Sequence, residues 1–230
     1  MAAIDLAGKR VLVLGGSGQL GRRLAAEFIR RGSSVMLAGR DSGELEQQAR
    51  QLGPGVVYSS FDLRNDDPGS IVDEAVRLLG GLDGVVNAAG IVAFGPLEAL
   101  SDAALDDLIA VDFSGPLRVM RAAVQTMEGG FLVNLTGVVA EQPVGGMTAY
   151  SAVKAGLSAA TRALTRELRT KGIQVLDARP PHTETGLAGR PIEGVAPALP
   201  VGLDPDDVAV RVVDAVAAGR RELAASDFTA

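Results

Sequence analysis

Tyr150 and Lys154 stand four residues apart in the run TAYSAVKAGL. On a helix that spacing places both side chains on one face, so a phenol and an ammonium can reach the same cleft. A phenol titrating near ~10 is a poor acid or base at neutral pH, but a neighbouring ammonium favours the phenolate and makes proton transfer accessible. The same spacing also arises by chance, with the lysine stem lying along the surface. The surrounding chain decides between the two.

A second chemical feature is the run LGGSGQLGRR, in which Gly15, Gly18 and Gly21 recur every three residues around Ser17, Gln19 and Leu20. Such a turn brings backbone close to a pyrophosphate at a helix N-terminus whose amides are free. No carboxylate closes the next apolar run, which ends Ala38-Gly39-Arg40. A guanidinium there suits a ribose 2′-phosphate and leaves a bare ribose without its usual acceptor, so NADP(H) is favoured over NAD(H). The plain alternative is a solvated Arg40 paired with Asp41 or Glu44.

The elements that must position these residues alternate. Apolar, β-branched runs at Arg10–Leu14, 34–38, 56–61, Gly84–Asn87, 130–136 and 173–179 predict strands, and the helical patterns at 21–31, 44–51, 69–79, 102–127, 150–170 and 204–218 fall between or after them. Strands this apolar suit burial on both faces, which predicts an α/β, three-layer, doubly wound Rossmann-like fold with a mainly parallel sheet. The Gly- and Pro-rich stretch 181–200 predicts a loop with room for one short helix, Asp204 an N-cap ahead of Pro205, and 222–230 at most a short edge strand. No interdomain linker is visible, so residues 1–230 are expected to form one nucleotide-binding domain with a substrate loop around 181–203.

Composition narrows the chemistry. The 230 residues are 47% hydrophobic and 22% charged, as in globular proteins, and the net charge of -6 argues against nonspecific attraction to nucleic acid or anionic membranes. With no Cys and one His, thiolate and multi-histidine metal sites are excluded, and no calcium-loop spacing occurs. The N-terminal run MAAIDLAGKR lacks a secretory layout and no apolar stretch reaches membrane-spanning length, so a cytoplasmic protein is expected.

Taken together, the glycine turn, Asp62-Leu63, Asn87-Ala88-Ala89-Gly90, Tyr150 with Lys154, and the segment 180–185 resemble the short-chain dehydrogenase/reductase family in order and approximate spacing. The first turn is nearer the GxxGxxG pattern of extended and atypical members, with Gln19 where classical members carry their middle glycine; the later motifs look classical. The resemblance implies that Asp62 and Leu63 border the adenine, that Asn87, Ala88 and Gly90 close the fourth strand beside the cofactor, and that Pro180, Thr183 and Thr185 flank the nicotinamide. It implies that Tyr150 exchanges a proton with the substrate oxygen while Lys154 holds the nicotinamide ribose. It also implies a homodimer or homotetramer through the helices at 115–127 and 152–168. His182 is read as an ordinary loop residue.

Two positions depart from the family pattern. Gly137 stands where a serine hydroxyl usually meets the substrate oxygen, and loss of one such donor costs on the order of 10²–10³ in rate. Adjacent Thr136 could replace it only if the chain twists or bulges beyond the strand end. Asp112, in AVDFSG, replaces an asparagine whose backbone carbonyl holds a water in the proton path; its carboxylate would compete for Lys154 and disfavour phenolate, which tilts the expected reaction toward reduction. The resulting expectation is an NADP-dependent reductase of a carbonyl or similar unsaturated group on a small uncharged or partly apolar molecule. Its pocket is expected around 91–94, 138–147 and 187–199. A non-redox lyase, isomerase or cyclase, and a noncatalytic NADP-binding subunit, remain as alternatives.

Overall fold

The computed structural model describes residues 3–228, so the first two and last two residues of the expected domain, including the end of the proposed edge strand, lie outside it. Seven strands form one sheet in the order β3-β2-β1-β4-β5-β6-β7, and every pairing is parallel. They are β1 (Arg10–Leu14), β2 (Ser34–Gly39), β3 (Val57–Ser60), β4 (Gly84–Asn87), β5 (Gly130–Leu135), β6 (Ile173–Ala178) and β7 (Glu222–Leu223).

The helices are α1 (Gln19–Arg30), α2 (Ser42–Leu52), α3 (Pro68–Leu79), α4 (Asp102–Ile109), α5 (Gly115–Thr126), α6 (Thr148–Glu167) and α7 (Pro205–Ala217). Strand periodicity divides the core between two faces. Val11 and Val13 pack with Leu24, Phe28, Val212 and Val216 beneath α1 and α7. Leu12 and Leu14 pack with Ile71, Val72, Val119 and Met120 beneath α3 and α5. Both faces are covered, as parallel strands require.

Three local outcomes sharpen the sequence expectations. The helical stretch 102–127 is interrupted at Ala110–Ser114 by a π-helical turn. Pro116 explains the break, because it has no N–H to return to the carbonyl of Asp112. The 181–200 stretch forms no helix among the described residues; it is held by isolated pairings of Ala93 with Glu193 and Thr183 with Leu203. Finally, the short β7 is followed by a 3₁₀ turn at Ala225–Phe228 that buries Phe228 against the first core face. Asp204 does cap α7, accepting from the Asp206 amide at 2.7 Å.

At the carboxyl edge of the sheet the wholly buried Asp177 binds three groups from different elements. Its carboxylate accepts from Thr136 Oγ1, Ser158 Oγ and an Arg179 guanidinium nitrogen, each at 2.6 Å. Arg179 also reaches Glu141 at 2.8 Å and Glu222 at 3.2 Å, tying the segment after β5 to β6 and β7. Removing Asp177 would leave two buried hydroxyls and one guanidinium nitrogen without their acceptor, at about 1–3 kcal/mol for each unsatisfied group, while Arg179 keeps Glu141 and Glu222. Asp177→Ala is therefore expected to cost about 3–5 kcal/mol of stability, read as a lowered urea midpoint.

Candidate active site

The sheet reverses its direction of growth between β1 and β4, and the crevice beyond their carboxyl ends is the usual ligand position in such folds. The glycine turn leaves β1 there. Gly15 adopts φ 75°, and a Cβ on it would lie 2.6 Å from the Ala89 amide nitrogen; one on Gly21 would lie 2.1 Å from the Gly15 carbonyl oxygen. Only glycines let the turn, α1 and the Asn87-Gly90 segment approach this closely. Gly18 begins α1 without any side-chain cap. The helix amides thus face the crevice with no capping side chain in competition, a cradle that fits a pyrophosphate.

Gln19, in place of a glycine, is drawn back along α1. Its Oε1 accepts from Arg22 at 2.6 Å and from Arg23 at 2.5 Å. Ser17 Oγ faces the end of β2, 3.4 Å from where a Cβ on Gly39 would stand, and Leu20 packs against the first core face. Arg40 is exposed just past β2, and among the described residues no ion pair or hydrogen bond engages its guanidinium. Asp41 instead caps α2 by accepting from the Glu44 amide at 2.9 Å.

Beyond β3, Asp62 accepts from the Arg64 amide at 3.0 Å, and Leu63 packs among Leu108, Val111 and Phe113. Arg64 makes two bonds to Asp107, at 2.6 and 2.9 Å, and holds that carboxyl below the usual range. Sequence reasoning missed this clamp, whose partners are 43 residues apart and share no motif. Asn87 is buried at the end of β4 and donates to Asn134 at 3.2 Å. Pro180 accepts from the Val138 amide at 2.9 Å, while Thr183 and Thr185 shape the following turn through backbone-directed bonds. His182 Nε2 lies 3.5 Å from Glu184 Oε1.

Tyr150 and Lys154 share a face of α6, with Lys154 Nζ 5.7 Å from the Tyr150 ring centroid. Lys154 is nearly inaccessible and donates to the Leu135 carbonyl at 3.3 Å; its other neighbour is Asp112 Oδ1 at 3.1 Å. Burial pushes Asp112 up toward its neutral form, against the pull of Lys154. Burial also opposes the Lys154 charge, but Asp112 and Tyr150 outweigh it and the ammonium is pushed up. Burial raises the Tyr150 phenol, Lys154 opposes that rise and Asp112 adds to it.

Thr136 does not join this group. Its hydroxyl is buried and bonded to Asp177, which corrects its placement among the candidate catalytic residues as a possible replacement for the missing serine. The twist that such replacement needs does occur, but at Gly137, with φ 79° and ψ 163°. That conformation belongs essentially to glycine, so the position differs from a serine site in backbone as well as side chain.

The three segments expected around a substrate do meet. The Phe94 amide donates to the Glu193 carbonyl at 3.0 Å, the Gly95 amide to Gly146 at 2.8 Å, and the Ile192 amide to Val92 at 2.8 Å. Glu193 also accepts from the Ser101 amide and hydroxyl at 2.8 and 2.5 Å, a contact no sequence spacing announced. Beside Tyr150, between the first two of these segments and α4, lies a narrow cavity of about 10 Å³ lined by Ala93, Phe94, Leu97, Leu108, Met147 and Ala149.

With this fold and site in view, the family model for short chain dehydrogenase matches residues 9–194. The chain belongs to the short-chain dehydrogenase/reductase family. It is 29% identical over 92% of its length, and 92% of the relative's, to an uncharacterised oxidoreductase of Staphylococcus aureus. It is 31% identical over 81% of its length, and 78% of the relative's, to nodulation protein G of a Rhizobium species. Among solved structures, a dehydrogenase/reductase of Sinorhizobium meliloti is 30% identical with TM-score 0.84, covering 97% of this chain and 93% of that one. A short-chain dehydrogenase of Streptomyces avermitilis is 25% identical with TM-score 0.86, covering 96% and 91%.

The protein is accordingly an oxidoreductase enzyme acting on a small molecule, and its family implies a nicotinamide cofactor. Among the described residues no helix is long and apolar enough to cross a membrane, and no group of ligating side chains could hold a metal. Because its hydroxyl serves Asp177, Thr136→Val should lower stability by about 1–3 kcal/mol through the lost bond while leaving kcat/KM within about twofold, measured by urea unfolding and steady-state turnover.

Proposed function

We propose that this enzyme is an NADP(H)-dependent reductase of a carbonyl or similar unsaturated group on a small uncharged or partly apolar substrate, with Tyr150 as the proton donor. The observation that carries the reading is the Tyr150 and Lys154 pair on one face of α6, joined by buried Asp112 beside the switch point of the sheet. Residues 1–230 act as one nucleotide-binding unit in the cytoplasm, as a homodimer or homotetramer.

The residues fit the cofactor. Gly15, Ser17, Gly18, Gln19, Leu20 and Gly21 would cradle the pyrophosphate, Asp62 and Leu63 the adenine, and Asn87, Ala88 and Gly90 the far side of the crevice. Pro180, Thr183 and Thr185 would flank the nicotinamide, and Lys154 would hold its ribose. When bound, the nicotinamide supplies the hydride. Tyr150 supplies the proton to the oxygen that gains charge as the carbon–oxygen π bond opens, the task of a positioned general acid. The apolar stretch Ile91, Val92, Ala93 and Phe94, part of which packs with Tyr150, supports an uncharged substrate.

Two measurements test this. Tyr150→Phe should reduce NADPH-dependent carbonyl turnover by roughly 10²–10⁴ with NADPH affinity retained, as for loss of one acid–base group; absence of turnover by the parent protein across a broad carbonyl and alcohol panel would overturn the reading. Among the described residues no hydrogen bond or ion pair holds the Arg40 guanidinium, which acts on Asp107 only through its charge, and this supports the choice of NADP. Arg40→Ala should weaken NADPH binding by about 1.5–3 kcal/mol, roughly 10- to 100-fold, with little change for NADH, by calorimetry.

A further inference from the structure

Asp112 sits in the π-helical turn ahead of Pro116 with no solvent exposure. One carboxylate oxygen lies 3.1 Å from Lys154 Nζ and the other accepts from the Ile91 amide at 3.3 Å. Gly90 makes room for this contact, because a Cβ there would stand 3.0 Å from Asp112 Oδ1 and 3.5 Å from Lys154 Nζ. With one proton shared across the 3.1 Å contact, the pair as a whole carries no net charge, whichever side chain holds it. Lys154 alone would present a full positive charge to the Tyr150 ring.

We propose that Asp112 is a positioning residue that cancels the charge of Lys154, so that Tyr150 stands as a protonated phenol and the site is set for reduction over alcohol oxidation. This rests on the reading of Tyr150 as the proton donor. Reduction consumes the phenol proton as the substrate oxygen gains it; oxidation starts from the phenolate, which must take a proton from the alcohol as hydride leaves its carbon for the oxidised nicotinamide. A neutral neighbour therefore favours the first starting state and an isolated ammonium the second.

Other charged groups do not supply the missing positive charge. Arg64 acts weakly on Asp112 and is bound by Asp107. Gly90 and Ile91 beyond β4, and Leu135 of β5, carry no titratable side chain. From the loops, Glu141 is bound by Arg179 and His182 lies against Glu184. The Tyr150 phenol is raised by its burial, and Asp112 adds to the rise.

The chain has two tyrosines and no tryptophan, so tyrosinate absorbance can be followed with little background. In a Tyr58→Phe background the remaining step reports Tyr150 in the full chain without nucleotide. It should lie above the ordinary phenol value of about 10, or stay unreached until far-UV circular dichroism shows unfolding. Asp112→Asn, by uncovering Lys154, should lower it by on the order of one to two pH units. The double variant Asp112→Asn, Lys154→Met carries no charge at either position and should return the step to the parent's.

A parent step below about 10, or an Asp112→Asn step that is unchanged or raised, overturns the proposal. If the single variant does not fold, parent and double variant still decide, because a shift of about a unit or more between them contradicts equal neutrality. The absorbance needs no substrate. A shifted phenol with no carbonyl turnover would sink the proposed reaction while supporting the role of Asp112, and an unshifted phenol would sink that role even in an active reductase.

Discussion

The reversal of strand order between β1 and β4 creates a crevice at the carboxyl edge of a sheet that is otherwise sealed on both faces, and most of the site's geometry follows from that one constraint. Helices crossing over parallel strands diverge only there. The backbone amides that α1 leaves unpaired have no other opening to face, and the tight approach of Gly15 to Ala89 keeps that opening narrow. The same edge receives α6, whose first turns carry Tyr150 and Lys154 over the end of β5. The site is therefore assembled by the sheet's connectivity before any side chain is chosen.

Side-chain choice at this edge is governed by the need to satisfy buried polar atoms. Thr136 had two possible uses for its hydroxyl, the substrate side or Asp177. The second prevails because Asp177 is wholly buried and binds Ser158 and Arg179 as well, and a carboxylate in that position needs every donor it can find. Gly137 can then turn freely, since the neighbouring Thr136 amide remains bonded to Ala178 at 2.9 Å. Loss of the usual serine and recruitment of Thr136 into a structural network are thus two sides of one arrangement.

Much of this was legible in the sequence, for identifiable reasons. The termini of β1 and β4 follow from short apolar runs bounded by glycine or asparagine, and the pairing of Tyr150 with Lys154 follows from helical periodicity alone. The π-helical turn was within reach, since Gly115-Pro116 inside a helical pattern removes the donor for the Asp112 carbonyl. The direction of the Thr136 side chain was not, because it depends on Asp177 and Ser158, neither of which any motif connects to it. Arg64 with Asp107 and Glu193 with Ser101 were hidden for the same reason: they are contacts made by the fold between segments of unrelated pattern.

The Asp112 and Lys154 pair shows why a buried ion pair is better regarded as a tuning device than as a source of stability. Taking both charges out of water costs several kcal/mol per ion, and their attraction offsets this only when the geometry is good and the remaining lone pairs and protons are satisfied. Here Asp112 Oδ1 has no polar partner besides the ammonium among the described residues, and Lys154 has the Leu135 carbonyl besides Asp112. Such a pair is a poor stabiliser, and an amide at 112 would avoid the cost of a second buried charge. What the carboxylate adds is electrostatic. It leaves the ammonium in place to donate hydrogen bonds while withdrawing the field that the ammonium would otherwise impose on Tyr150.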